Sequence, residues 1–299
     1  PYILAVDQRT SSTKALVFSD NRLPVASASR PLHTSFTTAG WAEQDPEDIY
    51  QSVVGAVGDL MEKIEADHGV GRTEIACAGI ANQRETVLVW DKDGKPLYPA
   101  IVWQCKRSIG ICEELKAVGV EDTLRERTGL VVDPYFSGTK LTWLARNHNA
   151  MRAALRSGAA AFGTVDSWLL YRLTAGAAYA TDVTNASRTL LFNLQGLFWD
   201  DEMFRILEVE GLRAPEAHPS AYRYGESDID GVFPKPVSIT AMIGDSHSAF
   251  FGERCFSPGQ AKATLGTGSS ILLNAGGEAP GIFPSTVSTV GFSIPGRLD

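Results

Sequence analysis

Nowhere in the 299 residues does G-x-x-x-x-G-K-[ST] occur, so a P-loop grip on phosphate is excluded. G-x-S-x-G is absent as well, which removes the nucleophile elbow of the α/β-hydrolases. The five histidines are scattered without metal-ligand spacing. The four cysteines, Cys77, Cys105, Cys112 and Cys255, form no C-x-x-C pair, and reduced thiols in a cytoplasmic protein suit them best. No apolar run reaches bilayer-spanning length, and the first residues show no basic stretch ahead of an apolar one. Neither a membrane span nor a signal peptide is expected. Positive charge is also short: the net charge is −8 and the pI about 5.2, which argues against nucleic acid as a partner. That balance leaves an anionic nucleotide open, because backbone dipoles and Mg²⁺ bind phosphate locally.

Hydrophobic content of 44% and charged content of 21% are globular values, and the length suits one large domain or two ordinary ones. The chain carries two look-alike turns. Near its start an apolar run at 2–6 meets DQRTSST at 7–13 and a second run at 15–18; near its end 261–265 meets GTGSS at 266–270 and then 271–273. Each reads as strand, small hydroxyl-rich turn, strand. Either is an ordinary hairpin by itself; together they suit a phosphate chain held from both sides of a cleft.

Residues 2–6, 15–18 and 23–29 read as an antiparallel meander. Asp45 and Pro46 open a helix over 46–64, with Ile49, Val53, Val57, Leu60 and Ile64 at helical spacing. A buried strand is expected at 75–80, a hairpin at 86–90 and 96–98 around Asp93 and Gly94, and helices at 108–119, 138–147, 149–157 and 165–173. Residues 210–236, rich in Pro and Gly, read as a winding connection before a strand at 237–243 and a helix from Ser246 to Cys255. The pattern is mixed α/β, as one lobe of the actin-like ATPase architecture gives. The expected division is 1–249 as a first lobe and 250–299 as the start of a second. A lone hairpin is unstable, so 256–299 should need further partners.

Several residues admit a chemical role beside a structural one. Arg84 and Glu85 follow a buried strand and can bond a polyol, or form an ordinary surface loop. Trp103 is a core residue or a flat wall for a carbon skeleton. Tyr135 offers a hydroxyl, in a segment that otherwise reads as a turn and N-cap at Ser137. Asp245 is a helix cap or a proton acceptor. A triad of Asp245, Ser246 and His247 is rejected, since consecutive helical residues do not face one another.

The segments NQRET at 82–86, IVWQC at 101–105, DPYFSGT at 133–139, YFSGTKLTWL at 135–144, FGTVD at 162–166 and TNASRT at 184–189 resemble the FGGY family of carbohydrate kinases, and within it the glycerol kinases. The resemblance runs from Tyr2 to about Asn274. It implies ribonuclease-H-like (actin-like ATPase) lobes, the first complete and the second only begun, and transfer of phosphate from MgATP to a terminal hydroxyl of glycerol or a related polyol. By it, Arg84, Glu85, Trp103, Tyr135, Asp245 and Ser246 hold the polyol and Asp245 is the catalytic base. Asp7, Gln8, Thr10, Ser11, Ser12, Gly266 and Thr267 meet the nucleotide, with Asp7 near Mg²⁺, directly or through water. It also implies a homodimer or homotetramer. Arg9 stands where the family usually has Gly, which predicts left-handed strain or a blocked loop. Ser246 stands where glycerol kinases usually have Gln. The alternative is a degenerate kinase homologue that binds a polyol or a partner without catalysis.

Overall fold

A computed structural model describes residues 1–37, 39–265, 269–277, 285–295 and 297–298. Alternation of apolar and polar residues builds the meander. Leu4 and Val6 of β1 (Tyr2–Gln8) and Ala15 and Val17 of β2 (Ser12–Ser19) are buried, while the residues between them are less so. Strand β3 (Pro24–Pro31) pairs antiparallel with β2. On the other side β4 (Ile75–Asn82) runs parallel to β1. With β5 (Ala221–Ser227) and β6 (Val237–Gly244) the sheet has six strands in the order β5-β6-β4-β1-β2-β3, with β6 parallel to β4. A meander continued by parallel strands on the β1 side is the ribonuclease-H-like arrangement expected from the sequence.

Strand β5 falls inside 210–236, where the sequence suggested only a winding connection. It is an edge strand in which only Tyr224 and Ser227 are buried, so its alternation is too weak to stand out among the flanking Pro and Gly.

Helix α1 (Pro46–His68) starts where Asp45 accepts the Glu47 N–H at 2.8 Å and ends on left-handed Gly69, one turn beyond the expected stop. Ile49, Val53, Val57, Leu60 and Ile64 are all fully buried in one core with Leu4, Val17 and Ile80. Removing one, as in Leu60→Ala, costs about 2–5 kcal/mol. Helices α2 (Ser137–Asn147), α3 (Val165–Leu173), α4 (Val183–Ala186) and α5 (Asp245–Gly252) carry or brace the site described below.

A second, five-stranded antiparallel sheet runs Ser35–Phe36, Ala42–Gln44, Ala100–Ile101, Val87–Trp90, Ala161–Thr164. It shares a core with Leu141 and Leu144 of α2. The expected hairpin at 86–90 and 96–98 forms: Trp90 bridges Pro96, the Leu97 N–H donates to the Val89 carbonyl at 2.9 Å, and the return arm continues to Ala100–Ile101, while the other edge of Val87–Trp90 pairs with Ala161–Thr164. The late hairpin, Ala261–Leu265 with Ser269–Leu273, forms as expected. Leu272 packs toward Phe250 and Phe292, whereas Leu265, Ile271 and Leu273 are 83%, 75% and 62% exposed.

Candidate active site

Register creates the site. Gln8, Asn82 and Gly244 are lateral partners at the carboxyl ends of β1, β4 and β6. The residues that follow, from Arg9, Gln83 and Asp245 onward, therefore leave the sheet at one level, where α/β sheets commonly bind ligands.

Arg84 and Asp245 meet there. Arg84 Nε donates to Asp245 Oδ1 at 3.1 Å and Nη2 donates to Ser246 Oγ at 3.2 Å. The Ser246 N–H also reaches Asp245 Oδ1, at 2.6 Å. Close approach of the Arg84 stem depends on Gly244, where an added Cβ would stand 2.7 Å from both Arg84 Cγ and Cδ. Burial works against the Arg84 charge, but Glu85, Tyr135 and Asp245 outweigh it and hold the guanidinium above its ordinary range. Burial raises the Asp245 carboxyl, and Arg84 draws it only partly back. Asp245 nevertheless keeps 39% of its side-chain exposure.

Glu85 is buried and sits between two guanidiniums, 2.6 Å from Arg188 Nε and 4.0 Å from Arg84 Nη1. Its backbone is left-handed, with φ 62°, and its carbonyl accepts from Ser137 Oγ at 3.0 Å. Ser137 thus serves Glu85 rather than capping α2; Phe136 holds the N-cap position. Tyr135 is placed by Asp133, whose Oδ1 accepts the Tyr135 N–H at 2.8 Å, and its phenol is pushed up to about 12, chiefly by burial. Trp103 meets Tyr135 edge-on at 5.7 Å and donates Nε1–H to Thr10 Oγ1 at 2.9 Å. The structure therefore brings Arg84, Glu85, Trp103, Tyr135, Asp245 and Ser246 into one neighbourhood, tied to the first turn through Thr10. Strand geometry ends at Ile101, and Trp103 in the turn that follows reaches Thr10.

In the first turn, Gln8 is fully buried, donating to the Arg9 carbonyl at 2.8 Å and accepting from Gln83 Nε2 at 3.1 Å. It braces the turn. Ser11 is exposed and Ser12 partly so. Arg9 does not take the left-handed backbone that its replacement of Gly predicted; its N–H closes the turn on the Ser12 carbonyl at 2.9 Å. Its guanidinium lies outward, 57% exposed, and ion-pairs with Asp7. Gly266 and Thr267, expected in the second turn, lie outside the described residues.

A cavity of about 840 Å³ opens beside this cluster, lined by Arg84, Tyr135, Phe136 and Arg188 together with residues of 270–277 and 286–291. Glu85, Trp103, Asp245 and Ser246 are not part of its lining, so Arg84 and Tyr135 join cavity to cluster. Sequence reasoning assigned no role to Arg188. Its guanidinium lies 5.0 Å from the Phe136 ring and 5.9 Å from the Tyr135 ring. The available signal was its isolation: it is the one charged residue between Asp182 and Asp200.

The chain is 42% identical over 299 residues to a glycerol kinase of Carboxydothermus hydrogenoformans, covering 100% of this chain and 59% of that protein. It is 46% identical over 279 residues to a glycerol kinase of Ralstonia nicotianae, covering 93% and 55%. It thus spans less than two thirds of the length of the curated relatives it matches. Among solved structures, Plasmodium falciparum glycerol kinase with ADP superposes with a TM-score of 0.92 at 32% identity, over 98% of this chain and 58% of that one. Gluconate kinase from Lactobacillus acidophilus shares the fold, with a TM-score of 0.81 at 24% identity over 90% and 53% of the two chains. The N-terminal domain pattern of one kinase family matches residues 2–252, and on that match the chain belongs to the FGGY family of carbohydrate kinases.

Proposed function

We propose that the whole protein transfers the terminal phosphoryl group of ATP to a terminal hydroxyl of glycerol or a related polyol, giving glycerol 3-phosphate and ADP in the first case. The observation that carries this reading is the state of Asp245. Both of its hydrogen bonds fall on Oδ1, so Oδ2 accepts none among the described residues. A hydroxyl placed there hands its proton to Oδ2 as its oxygen bonds phosphorus and the bond to the ADP oxygen breaks. Arg84 and Glu85 offer a donor and an acceptor to the polyol hydroxyls, while Trp103 and Tyr135 wall its carbon chain. The similarity to glycerol kinases supports glycerol as the first substrate to try.

Asp7, Gln8, Thr10, Ser11 and Ser12 on one side, and Gly266 and Thr267 on the other, are the proposed nucleotide contacts. Mg²⁺ is usually held by one or two carboxylates, water and the nucleotide's own phosphates. Asp7 is the carboxylate that would share it, and the ion would neutralise charge on the phosphates. A first unit over 1–249 and a second from 250 belong to the same reading, supported by a family match that ends at 252. No helix among the described residues is long and apolar enough to cross a membrane. A cytoplasmic location, where ATP and reduced thiols coexist, completes the reading.

One observation favours a second reading: Arg9 occupies the Asp7 carboxylate. A homologue that binds polyol without catalysis would tolerate that pair. A coupled ADP-release assay on the full-length protein separates the two. Turnover with glycerol or another small polyol or ketose is expected, and its absence across such a panel overturns the kinase reading.

A further inference from the structure

Two segments that carry the family resemblance, at 162–166 and 184–189, meet in a buried polar cluster away from Arg188. Asp166, Asp182, Thr184 and Asn185 are all fully buried. Asp182 accepts five hydrogen bonds. Oδ1 takes Thr184 Oγ1 at 2.9 Å, the Asn185 N–H at 3.0 Å and Asn185 Nδ2 at 2.8 Å; Oδ2 takes the Thr184 N–H at 3.1 Å and Ser220 Oγ at 2.8 Å. Asp166 Oδ2 accepts the Asp182 N–H at 3.2 Å and Thr181 Oγ1 at 2.7 Å, locking the approach to α4.

Two arms leave this carboxylate. Because the Thr184 hydroxyl spends its proton on Asp182, its oxygen is free to accept, and it takes the Gly244 N–H at 2.9 Å. Gly244 immediately precedes Asp245. In the other arm Asn185 Nδ2 is turned toward Asp182, which fixes which way its amide points. Asn185 and Asn82 then exchange hydrogen bonds, each at 3.0 Å, and Asn82 Nδ2 spends its second proton on the Gln83 carbonyl at 2.8 Å. Gln83 immediately precedes Arg84.

We propose that Asp182 is the positioning residue of this active site: a single buried carboxylate sets Asp245 through Thr184 and Gly244, and sets Arg84 through Asn185 and Asn82. Its kinetic consequences rest on the phosphoryl-transfer reading; its structural claim does not. The two arms end on groups with different tasks, a proton acceptor and a substrate donor, so damage to each shows in a different constant. A displacement on the order of 1 Å at a reacting group is enough to cost a large rate factor. A carboxylate placed only for stability would lack this selectivity.

The test uses the full-length protein with Thr184→Val, Thr184→Ser and Asn185→Ala. Thr184→Val keeps the shape and removes the acceptor for the Gly244 N–H. Hydrogen exchange at Gly244 should speed up by about tenfold or more, with β1 and β4 unchanged, and Thr184→Ser should restore protection. With glycerol, Thr184→Val should lower kcat about tenfold or more and leave the polyol KM within about twofold, whereas Asn185→Ala should chiefly raise the polyol KM. Unchanged exchange at Gly244 in Thr184→Val, or equal effects of both variants on both constants, overturns the proposal. If the unsubstituted protein turns over no polyol, the functional reading falls, and the exchange result alone decides the positioning claim. Should Thr184→Val not fold, Thr184→Cys, whose thiol is a poor acceptor, carries the same comparison.

Discussion

Arg84 holds Asp245 by one oxygen only, Nε to Oδ1 at 3.1 Å, with Nη2 of the same guanidinium on the Ser246 hydroxyl at 3.2 Å. The fork fixes the carboxylate plane without using up its second oxygen. A bidentate grip would have engaged both oxygens and made the second a weaker proton acceptor.

Asp245→Asn tests that division. The amide keeps the size and an oxygen for Arg84, but it cannot take a proton. The kcat should fall by about 10²–10⁴, the range a positioned general base supplies. Polyol affinity, measured by calorimetry, should change little. Lost affinity with an unchanged rate per bound substrate would remove Asp245 from the chemistry.

Ser246→Gln addresses specificity. The short hydroxyl now ends on Arg84, and a glutamine at this position reaches farther along the site from the first turn of α5. The added amide should favour short polyols with a hydroxyl in its reach and disfavour longer ones that need the space. The ratio of kcat/KM for glycerol to that for a five-carbon polyol should rise about tenfold, as expected when one hydrogen bond is gained and one fit is lost. An unchanged ratio would show that position 246 does not face the substrate.

Arg9→Gly releases the Asp7 carboxylate. Arg9 is not strained, so the substitution is not expected to relieve the backbone; it acts through charge. Freed Asp7 should bind Mg²⁺ with its nucleotide better, lowering the Mg²⁺ concentration for half-maximal rate several-fold. The measurement is a Mg²⁺ titration at saturating polyol. A higher requirement would mean that the guanidinium itself grips phosphate.

The parts of the fold with strong periodicity were legible. α3 is expected at 165–173 and is found there, and α1 exceeds its expected range by one turn, because 65–68 carry no large apolar residue while Gly69 supplies the stop. β5 and the pairing of Val87–Trp90 with Ala161–Thr164 were not legible, since edge strands alternate weakly and a distant partner is set by tertiary packing. At the site, the residues after strand ends were readable because the resemblance named them. Arg188 and Asp182 were not. Arg188 pairs with Glu85, and Asp182 bonds Thr184 and Asn185, which in turn bond Gly244 and Asn82; neither relation exists in one dimension.

Lys140 gives the last prediction, and its sign can be worked out. Its side chain is fully buried on α2, with Nζ donating to the Tyr135 carbonyl at 2.5 Å and the Phe136 carbonyl at 3.3 Å. Burial lowers its pKa to about 8, against the partial support of the Glu85 charge. In the unfolded chain a lysine holds its proton to about pH 10.4. Between these values the unfolded state binds more protons, so this group makes stability rise with pH across that window. Below about pH 8 the penalty for burying the charge is fully present, roughly 3 kcal/mol from the shift. Lys140→Met has no such group. The difference in unfolding free energy, unsubstituted protein minus Lys140→Met, should therefore climb by roughly 3 kcal/mol from pH 7 to pH 10.5, whatever constant offset the two lost carbonyl bonds add. Urea unfolding at half-unit pH steps reads this directly. A flat difference would mean that Lys140 titrates alike in both states, and a falling one would mean that its charge is stabilised in the fold.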